Sequence, residues 1–304
     1  MNTLAPGISY IDLQFLGTAQ VIATGVLHGP GGVALVDPGP STSLSTLTAS
    51  LQSAGMTWRD VTTLLITHIH LDHSGACGTL VRDHPALRIY VHEKGAPHLI
   101  NPDKLWASAS KLYGDDMKRL WGEVLPVPEK NLTVLQGGER IEEGGRTIEV
   151  AYTPGHASHH VSFFVRDAGL AFVGDTAGVR IPGGEVVPPT PPPDIDIEAW
   201  HDSLARIEQW HADTLFLTHF GPAAPSGPHL SVVRERLDLA SRIVKASLDR
   251  DGTDTEREAW FVDEARRALR RTLTESNALK YEAAGRFDLN WRGLARYWRK
   301  KREV

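Results

Sequence analysis

The sequence of 304 residues contains a single cysteine, Cys77. With one thiol, no disulfide can form within the chain, which favours a reducing compartment. The first residues contain neither a basic segment nor a long apolar run, so they do not match a secretory signal. No stretch approaches the ~20 consecutive apolar residues that a membrane span requires. We therefore expect a cytoplasmic protein that does not enter a membrane.

Positive charge is not in excess, since 32 lysine and arginine residues face 37 acidic residues and give a formal net charge of −5. A mildly acidic chain lacks the broad basic surface that nucleic acids require. The one concentrated basic segment, residues 291–302, is typical of the solvated last turns of a helix. We expect a small-molecule substrate and no nucleic-acid partner, and the sequence leaves a homodimer open.

The order of local patterns predicts an α/β chain of the α+β type. Short β-rich runs and helical patterns alternate up to about residue 222, with a helical insertion at about 94–128. Two such β-then-α halves suit two sheets packed face to face with helices outside. Beyond residue 230 the pattern is purely helical. We therefore divide the chain into a mixed domain, residues 1–229, and a C-terminal helical extension, residues 230–304.

Histidines are abundant, with 14 in the chain, and the most informative of them follow a predicted apolar strand. That strand leads into three histidines and a carboxylate within six residues, namely His68, His70, Asp72 and His73. In an extended loop, His68 and His70 project to the same side. Burying so many titratable groups at a strand end is costly unless a cation or a hydrogen-bond network compensates them. The segment therefore indicates a metal site.

This segment resembles the His-x-His-x-Asp-His motif of the metallo-β-lactamase superfamily. Three further segments resemble the superfamily's later motifs in the same order: residues 153–156 (Thr-Pro-Gly-His), 172–176 (Phe-Val-Gly-Asp-Thr) and 217–222 (Leu-Thr-His-Phe-Gly-Pro). The resemblance covers roughly residues 8–222. It implies a four-layer αββα sandwich for the catalytic domain, to which the helical insertion and the helical extension are added.

The resemblance also implies which side chains bind metal and how many ions they bind. His68, His70 and His156 would bind one ion, and Asp72, His73 and His219 would bind the other. Asp175 would bridge the two ions together with a water or hydroxide, and Asp72 would also orient this nucleophile and take up its proton, as a catalytic residue. Imidazole and carboxylate ligands favour two divalent ions, zinc before iron or manganese.

Three further residues are weaker candidates for contacts around the metals or the substrate. Asp37 ends a predicted strand and is a candidate to orient a ligand histidine, although a turn aspartate that caps the next helix is nearly as good an interpretation. His159 and His160 directly follow the third ligand, and one of them could face the pocket. We expect Cys77 to be a small buried residue and Trp106 and Trp121 to pack their helices, with an apolar pocket entrance as the alternative role.

The resemblance implies a hydrolase that attacks a carbonyl with a metal-bridging hydroxide. The chain is similar to glyoxalase II and the acyl-homoserine lactonases, whose substrates are thioesters, esters or lactones. The tyrosine that a lactonase would place after the bridging aspartate is absent from residues 176–184. The alternatives are a β-lactamase or phosphodiesterase activity, and a persulfide dioxygenase that would bind one iron through His68, His156 and Asp175.

Overall fold

Alternating apolar residues form two β-sheets in the computed structural model, which describes residues 1–303. The first sheet has seven strands in sequence order, antiparallel from β1 to β4 and parallel from β4 to β7. Its strands are β1 (Asn2–Ala5), β2 (Ile8–Asp12), β3 (Ala23–Gly29), β4 (Gly32–Val36), β5 (Val61–Leu65), β6 (Arg88–His92) and β7 (Leu132–Leu135).

The second sheet has six strands in the order β13-β12-β11-β10-β9-β8. Only β11 (Leu170–Phe172) and β12 (Thr214–Leu217) pair in parallel, because the helix α7 (Ile197–Glu208) connects them. The strands are β8 (Arg140–Glu143), β9 (Arg146–Tyr152), β10 (Val161–Val165), β11 (Leu170–Phe172), β12 (Thr214–Leu217) and β13 (Gly221–Ala223). As a result, β9, β11 and β12 run in the same direction and end at the same edge of this sheet.

Helices cover the outer faces of both sheets. They are α1 (Leu44–Ser53), α2 (Leu71–Ser74), α3 (Cys77–Asp83), α4 (Ala96–Ile100), α5 (Asp103–Tyr113), α6 (Met117–Trp121), α7 (Ile197–Glu208), α8 (Ser226–Ser247), α9 (Asp254–Arg270), α10 (Glu275–Ala284) and α11 (Phe287–Arg302). Within residues 1–303, none of the helices combines the length and the apolar character that a membrane crossing needs.

The six-stranded sheet is buried on both faces, which explains why β10 is apolar at almost every position. Phe163 packs into an apolar core shared with the seven-stranded sheet, whereas its neighbour Phe164 packs into a second core with α7 and the C-terminal helices. Phe172 and Phe216 lie in the first core, and the alternate residues of their strands lie in the second. This layering confirms the predicted αββα sandwich with a helical insertion and a helical extension.

The insertion and the extension lie where the sequence placed them. Helices α4, α5 and α6 occupy the predicted insertion, and α8 to α11 form the extension. Helix α8 begins at Ser226, so the predicted boundary at residue 229 falls within its first turn. Helix α9 begins with a capping box, in which Thr253 and Glu256 satisfy each other's backbone N–H groups. The division into two domains stays a prediction.

Candidate metal centre

The four predicted motifs meet at one edge of the sandwich because each follows the end of a strand. The histidine-rich segment lies between β5 and α2, and His156 lies in the turn after β9. Asp175 follows β11, and His219 lies between β12 and β13. Since β9, β11 and β12 end at the same edge, their following residues face the β5 loop across the interface of the two sheets. The structure thus brings all seven predicted ligands together.

Three imidazole nitrogens converge in a first group. The Nε2 atom of His68 lies 2.9 Å from Nδ1 of His70, which in turn lies 3.1 Å from Nε2 of His156. Nitrogen atoms at these distances from one another have room for one cation between them.

Asp72, His73 and His219 form a second group. The Oδ2 atom of Asp72 lies 3.2 Å from Nε2 of His219 and 3.8 Å from Nε2 of His73. His73 and His219 are fully buried, whereas the Asp72 side chain retains 20% exposure. The second group is therefore the one that presents a carboxylate to solvent.

The Asp175 carboxylate lies between the two groups. Its Oδ2 atom is 3.4 Å from Nε2 of His156 in the first group. Its Oδ1 atom is 3.3 Å from Nε2 of His73 and 3.6 Å from Nε2 of His219 in the second. One carboxylate thus offers one oxygen to each group, which is the arrangement that a ligand shared by two cations requires.

Several atoms of the predicted ligands are buried without a hydrogen-bond partner. They indicate whether a metal ion fits the site. Among the described residues, Nε2 of His73, Nε2 of His219 and Oδ1 of Asp175 have no hydrogen-bond partner. Buried polar atoms are rarely left in this state. The three atoms face a common point, and imidazole with carboxylate is the ligand chemistry of divalent transition metals. The residues present therefore fit a metal ion.

Hydrogen bonds on the far side of the rings fix the orientation of three of these histidines. His73 donates from Nδ1 to Asp37 at 2.8 Å, and His156 donates from Nδ1 to the carbonyl oxygen of Pro189 at 2.8 Å. His219 donates from Nδ1 to the carbonyl oxygen of Val21 at 2.6 Å. Because Nδ1 donates in each ring, Nε2 is the atom directed into the site.

Asp37 contacts a ligand, as one of its two sequence interpretations predicts. Besides His73, its carboxylate accepts hydrogen bonds from the backbone N–H and hydroxyl of Thr67 and from the hydroxyl of Thr218. Asp37 is fully buried and has a φ of 52°, a left-handed backbone conformation that costs energy for a residue with a side chain. Its carboxylate thereby joins the segments that bear His68, His73 and His219.

The charges in the site affect the predicted ligands in two ways. Burial lowers the pKa of His73 and of His219, but attraction to Asp175 and Asp72 raises it more, so a metal ion there would displace a proton. Burial raises the pKa of Asp72, but attraction to His73 and the close approach of His219 lower it more, to about 2. Burial and repulsion from His156 lower the pKa of His70 to about 4. Burial likewise lowers the pKa of His68 and of His156. At neutral pH the carboxylate is therefore ionised and these imidazoles are neutral, as metal ligands must be.

The other two candidate histidines differ in position, since His160 lies behind the predicted ligands and His159 lies at the cavity. His160 is fully buried, stacks on His68 with ring centroids 5.0 Å apart, and its Nδ1 lies 3.0 Å from the hydroxyl of Thr153. His159 lies beside His70 and lines the adjoining cavity. The turn before Asp175 is equally crowded, since a Cβ atom on Gly174 would lie 2.6 Å from His160 Nε2. Glycine at this position lets the strand end approach the histidines.

A cavity of about 250 Å³ opens onto the site and is lined by parts of the chain that carry no motif. Its walls include the insertion helix α5, the proline-rich segment 189–193 and the start of α11. Sequence reasoning missed the side chains that line it on these elements. The apolar face of α5 was the only signal on them, and it does not indicate a pocket by itself. Trp121 of α6, for which a pocket entrance was one of the two predicted roles, is part of the lining. Lining residues include Leu105, Leu112, Tyr113, Trp121, Arg286 and Leu289.

Comparison with known proteins places these motifs in a family. The model of the metallo-β-lactamase superfamily matches residues 17–219. A metallo-β-lactamase fold-containing protein of Sulfurisphaera tokodaii is 33% identical over 165 residues, which cover 53% of this chain and 61% of that protein. A hydroxyacylglutathione hydrolase of Legionella pneumophila is 28% identical over 188 residues, which cover 60% of this chain and 56% of the relative. The chain thus spans about three fifths of the length of these two curated relatives.

A solved structure extends the likeness over nearly the whole chain. A metallo-β-lactamase family protein of Thermus thermophilus superposes with a TM-score of 0.74 at 23% sequence identity. The superposition covers 98% of this chain and 95% of the other, so it includes the C-terminal helices. At this identity, the likeness shows the shared fold.

Proposed function

The chain belongs to the metallo-β-lactamase superfamily, as its motifs predicted, and from this membership and the metal centre we propose that it is a binuclear metal-dependent hydrolase of esters, thioesters or lactones. The observation that carries the proposal is the position of Asp175, with one oxygen facing each group of ligands. A site for one ion would use only one of the two groups that surround that carboxylate.

Two divalent ions, with zinc favoured over iron or manganese, fit the donor set. His68, His70 and His156 would bind one ion, Asp72, His73 and His219 the other, and Asp175 both. When bound, such ions lower the pKa of a water molecule and polarise a substrate carbonyl, which supplies a nucleophile without a serine or cysteine. The buried Cys77 is unsuited to that role, because burial and the charge of Asp37 raise the pKa of its thiol.

Asp72 is the proposed catalytic residue of the chain itself. Its carboxylate is the partly exposed ligand, it lines the cavity, and its low pKa keeps it ionised at neutral pH. An ionised carboxylate at the cavity wall accepts a hydrogen bond from the attacking water, and so orients the water and accepts its proton. His73 and His219 lie on the buried side of this carboxylate, with their Nε2 atoms 3.8 Å and 3.2 Å from Oδ2.

The cavity favours a small acyl compound as the substrate. Leucine side chains of α5 and α11 and the proline-rich segment present apolar surface, while Lys94 and Lys104 add positive charge to the lining. A thioester fits both this lining and the likeness to a hydroxyacylglutathione hydrolase. We infer that an apolar acyl group packs against α5 while the carbonyl faces Asp72.

The test is a panel of an ester, a thioester, a lactone, a phosphodiester and a cephalosporin, assayed with defined metals and paired with metal analysis of the purified protein. We expect two ions per chain and the highest kcat/KM on one of the first three substrates. Asp72→Asn and His219→Ala should lower kcat by at least about 100-fold. His201→Ala is the matched control, because His201 pairs with Asp238 away from the site.

Different results would identify the alternative chemistries. If Asp72→Asn and His219→Ala retained full activity, the two-metal mechanism would be wrong. One iron per chain together with oxygen consumption on a persulfide would favour the dioxygenase, with His68, His156 and Asp175 as its ligands. Selective cleavage of the phosphodiester would favour a phosphodiesterase, and selective cleavage of the cephalosporin would favour a β-lactamase.

A further inference from the structure

The C-terminal helix α11 makes two buried hydrogen bonds to the proline-rich segment. The backbone N–H of Thr190 donates to Oδ1 of Asn290 at 2.7 Å. The hydroxyl of Thr190 donates to the backbone carbonyl of Asn290 at 3.1 Å. Thr190 is fully buried and Asn290 is 5% exposed, so water cannot replace either partner. Residues 100 positions apart in the sequence are thereby joined.

The backbone of α11 also lies directly against the same threonine. A Cβ atom on Gly293 would lie 1.9 Å from the carbonyl oxygen of Thr190, much closer than any real contact. Asn290 and Gly293 are three residues apart and therefore share one face of the helix. On that face, Thr190 contacts the side-chain amide of Asn290 and lies against the backbone of Gly293.

The residue before Thr190 contacts a proposed metal ligand. The carbonyl oxygen of Pro189 accepts the hydrogen bond from Nδ1 of His156 at 2.8 Å. This carbonyl and the N–H that Asn290 binds belong to the same planar peptide unit. The direction of the Thr190 N–H therefore determines the direction of the Pro189 carbonyl. Proline at position 189 also restricts the backbone φ angle at that residue.

We propose that Asn290 is a positioning residue for His156, so that the C-terminal helix orients a ligand of the metal centre through the peptide unit between Pro189 and Thr190. The proposal rests on the proposed function in one respect, namely that His156 binds a metal ion. Without the Asn290 amide, the peptide unit can rotate, the carbonyl leaves the Nδ1 proton of His156, and Nε2 loses its fixed direction toward the site. A group that hydrogen-bonds a metal-binding histidine directly, as the Pro189 carbonyl would, typically contributes 10- to 100-fold to metal affinity.

The experiment compares how tightly the metal-loaded full-length variants retain their ions. Wild type, Asn290→Ala and Asn290→Asp are dialysed against increasing concentrations of a chelator, and the remaining metal is counted per chain. We expect Asn290→Ala to release one ion at about tenfold lower chelator concentration while the other ion is retained as in wild type. Asn290→Asp preserves an acceptor oxygen for Thr190 and should release its ions as wild type does.

Trp291→Phe is the matched control on the same helix. Its indole N–H donates a buried hydrogen bond to Ser247, so the variant loses one such bond away from the proline-rich segment. We expect a lower melting temperature with unchanged metal retention. Gly293→Ala is a second variant for the proposal, because its methyl group pushes α11 off Thr190 while the amide remains. It should lose the same single ion.

Three results would overturn the inference. These are wild-type retention in both Asn290→Ala and Gly293→Ala, equal loss of both ions in these variants, and the same loss in Trp291→Phe. A wild-type protein that binds no metal contradicts the proposed function itself, so the two failures are distinguishable. Cobalt substitution gives an independent readout, since the visible spectrum of the bound cobalt should change in Asn290→Ala and remain unchanged in Asn290→Asp.

Discussion

At the scale of single residues, Asp37 connects segments that bear predicted ligands of both groups, although it is not one of these ligands itself. Its two oxygens receive hydrogen bonds from Thr67 and His73, at the two ends of the segment after β5, and from Thr218, which follows β12. Each donor is buried, so each would be left unpaired if the carboxylate were removed. The left-handed backbone at Asp37 is tolerated because these bonds hold it.

We predict that Asp37→Ala lowers the free energy of unfolding by about 3–5 kcal/mol, the usual cost of breaking a buried hydrogen-bonded charge pair. The measurement is urea unfolding of metal-free protein, which separates this effect from metal loss. Asp12→Ala is the control, since Asp12 caps a partly exposed loop through Gln14 and Gln20. A loss below 1 kcal/mol in Asp37→Ala would mean that the network rearranges around the missing carboxylate.

The seven ligand positions could be proposed from the sequence because each is part of a short motif at a strand end. The structure brings these seven together, and their binding of metal stays a prediction. Residues such as Pro189 and Asn290 gave no such signal, since a backbone carbonyl has no sequence signature and the contact joins segments 100 residues apart. Asp37 is intermediate: its position after a strand suggested a role, but only the fold shows that it contacts His73.

At the scale of elements, the insertion α4 to α6 forms one wall of the cavity, and its two tryptophans differ in position. Trp121 is 5% exposed, stacks on Phe15 with centroids 5.8 Å apart and lines the cavity. Trp106 packs partly buried against the core and is not among the lining residues. The two interpretations given to this pair, helix packing and pocket lining, therefore both apply to Trp121, whereas helix packing applies to Trp106.

We predict that Trp121→Ala lowers the free energy of unfolding by about 3–5 kcal/mol and also changes KM, because it removes core volume and cavity wall together. Trp106→Ala is the matched substitution and should lower stability by less, with KM unchanged. Steady-state kinetics on the best substrate measure KM, and thermal unfolding measures the stability of the two variants. An unchanged KM in Trp121→Ala would leave packing as the only role of that side chain.

The last helix is also tied to α7, and this contact depends on pH. Burial raises the pKa of Glu198, but hydrogen bonds from Lys301 and from the hydroxyl of Tyr297 lower it more, to about 2. A carboxylate whose pKa is lowered in the folded state stabilises the protein at pH values above the pKa that it has in the unfolded state, near 4.3. This contribution is lost as the pH falls toward 2.

We therefore predict that wild type exceeds Glu198→Gln in stability at pH 6 by about 0.5–1 kcal/mol, since much of the contact is exposed. The difference should narrow steadily as the pH is lowered to 3. Urea unfolding at several pH values measures it. A difference that stayed constant with pH would mean that the glutamate acts by shape or uncharged hydrogen bonding alone.

Most elements could be predicted, and the errors have local causes. Apolar alternation in the sequence predicts strands over residues 8–15 and 20–27, whereas β2 ends at Asp12 and β3 begins at Ala23. Between them, the Asp12 carboxylate accepts hydrogen bonds from the backbone of Gln14 and Gln20, both of which have positive φ. Apolar alternation does not reveal such a cap. Strands β1, β8 and β13 were not predicted, because they are short or polar and form only by pairing with a neighbour.

At the scale of the whole molecule, the C-terminal helices share an apolar core with the sheet that bears Asp175 and His219. Leu230, Leu237 and Leu294 are fully or almost fully buried in the cluster that also contains Trp200 and Leu215. A helical extension with its own core would leave the outer face of the sheet covered by α7 alone. The structure instead uses the extension as part of the fourth layer, which ties the integrity of the metal centre to residues far beyond the matched family region.

We predict, finally, that a chain ending at residue 225 does not fold on its own. The truncation uncovers the partners of many large apolar side chains, each contributing about 1.5–3 kcal/mol, and the sum exceeds the ~5–15 kcal/mol by which domains of this kind are stable. It also removes Asn290 and with it the support of the peptide unit that orients His156. The fragment should be insoluble or should bind a dye for exposed apolar surface, while the full chain prepared in the same way unfolds cooperatively. A soluble fragment with a sharp unfolding transition would instead show that residues 1–225 form an independent domain, and that the extension was added to an already complete fold.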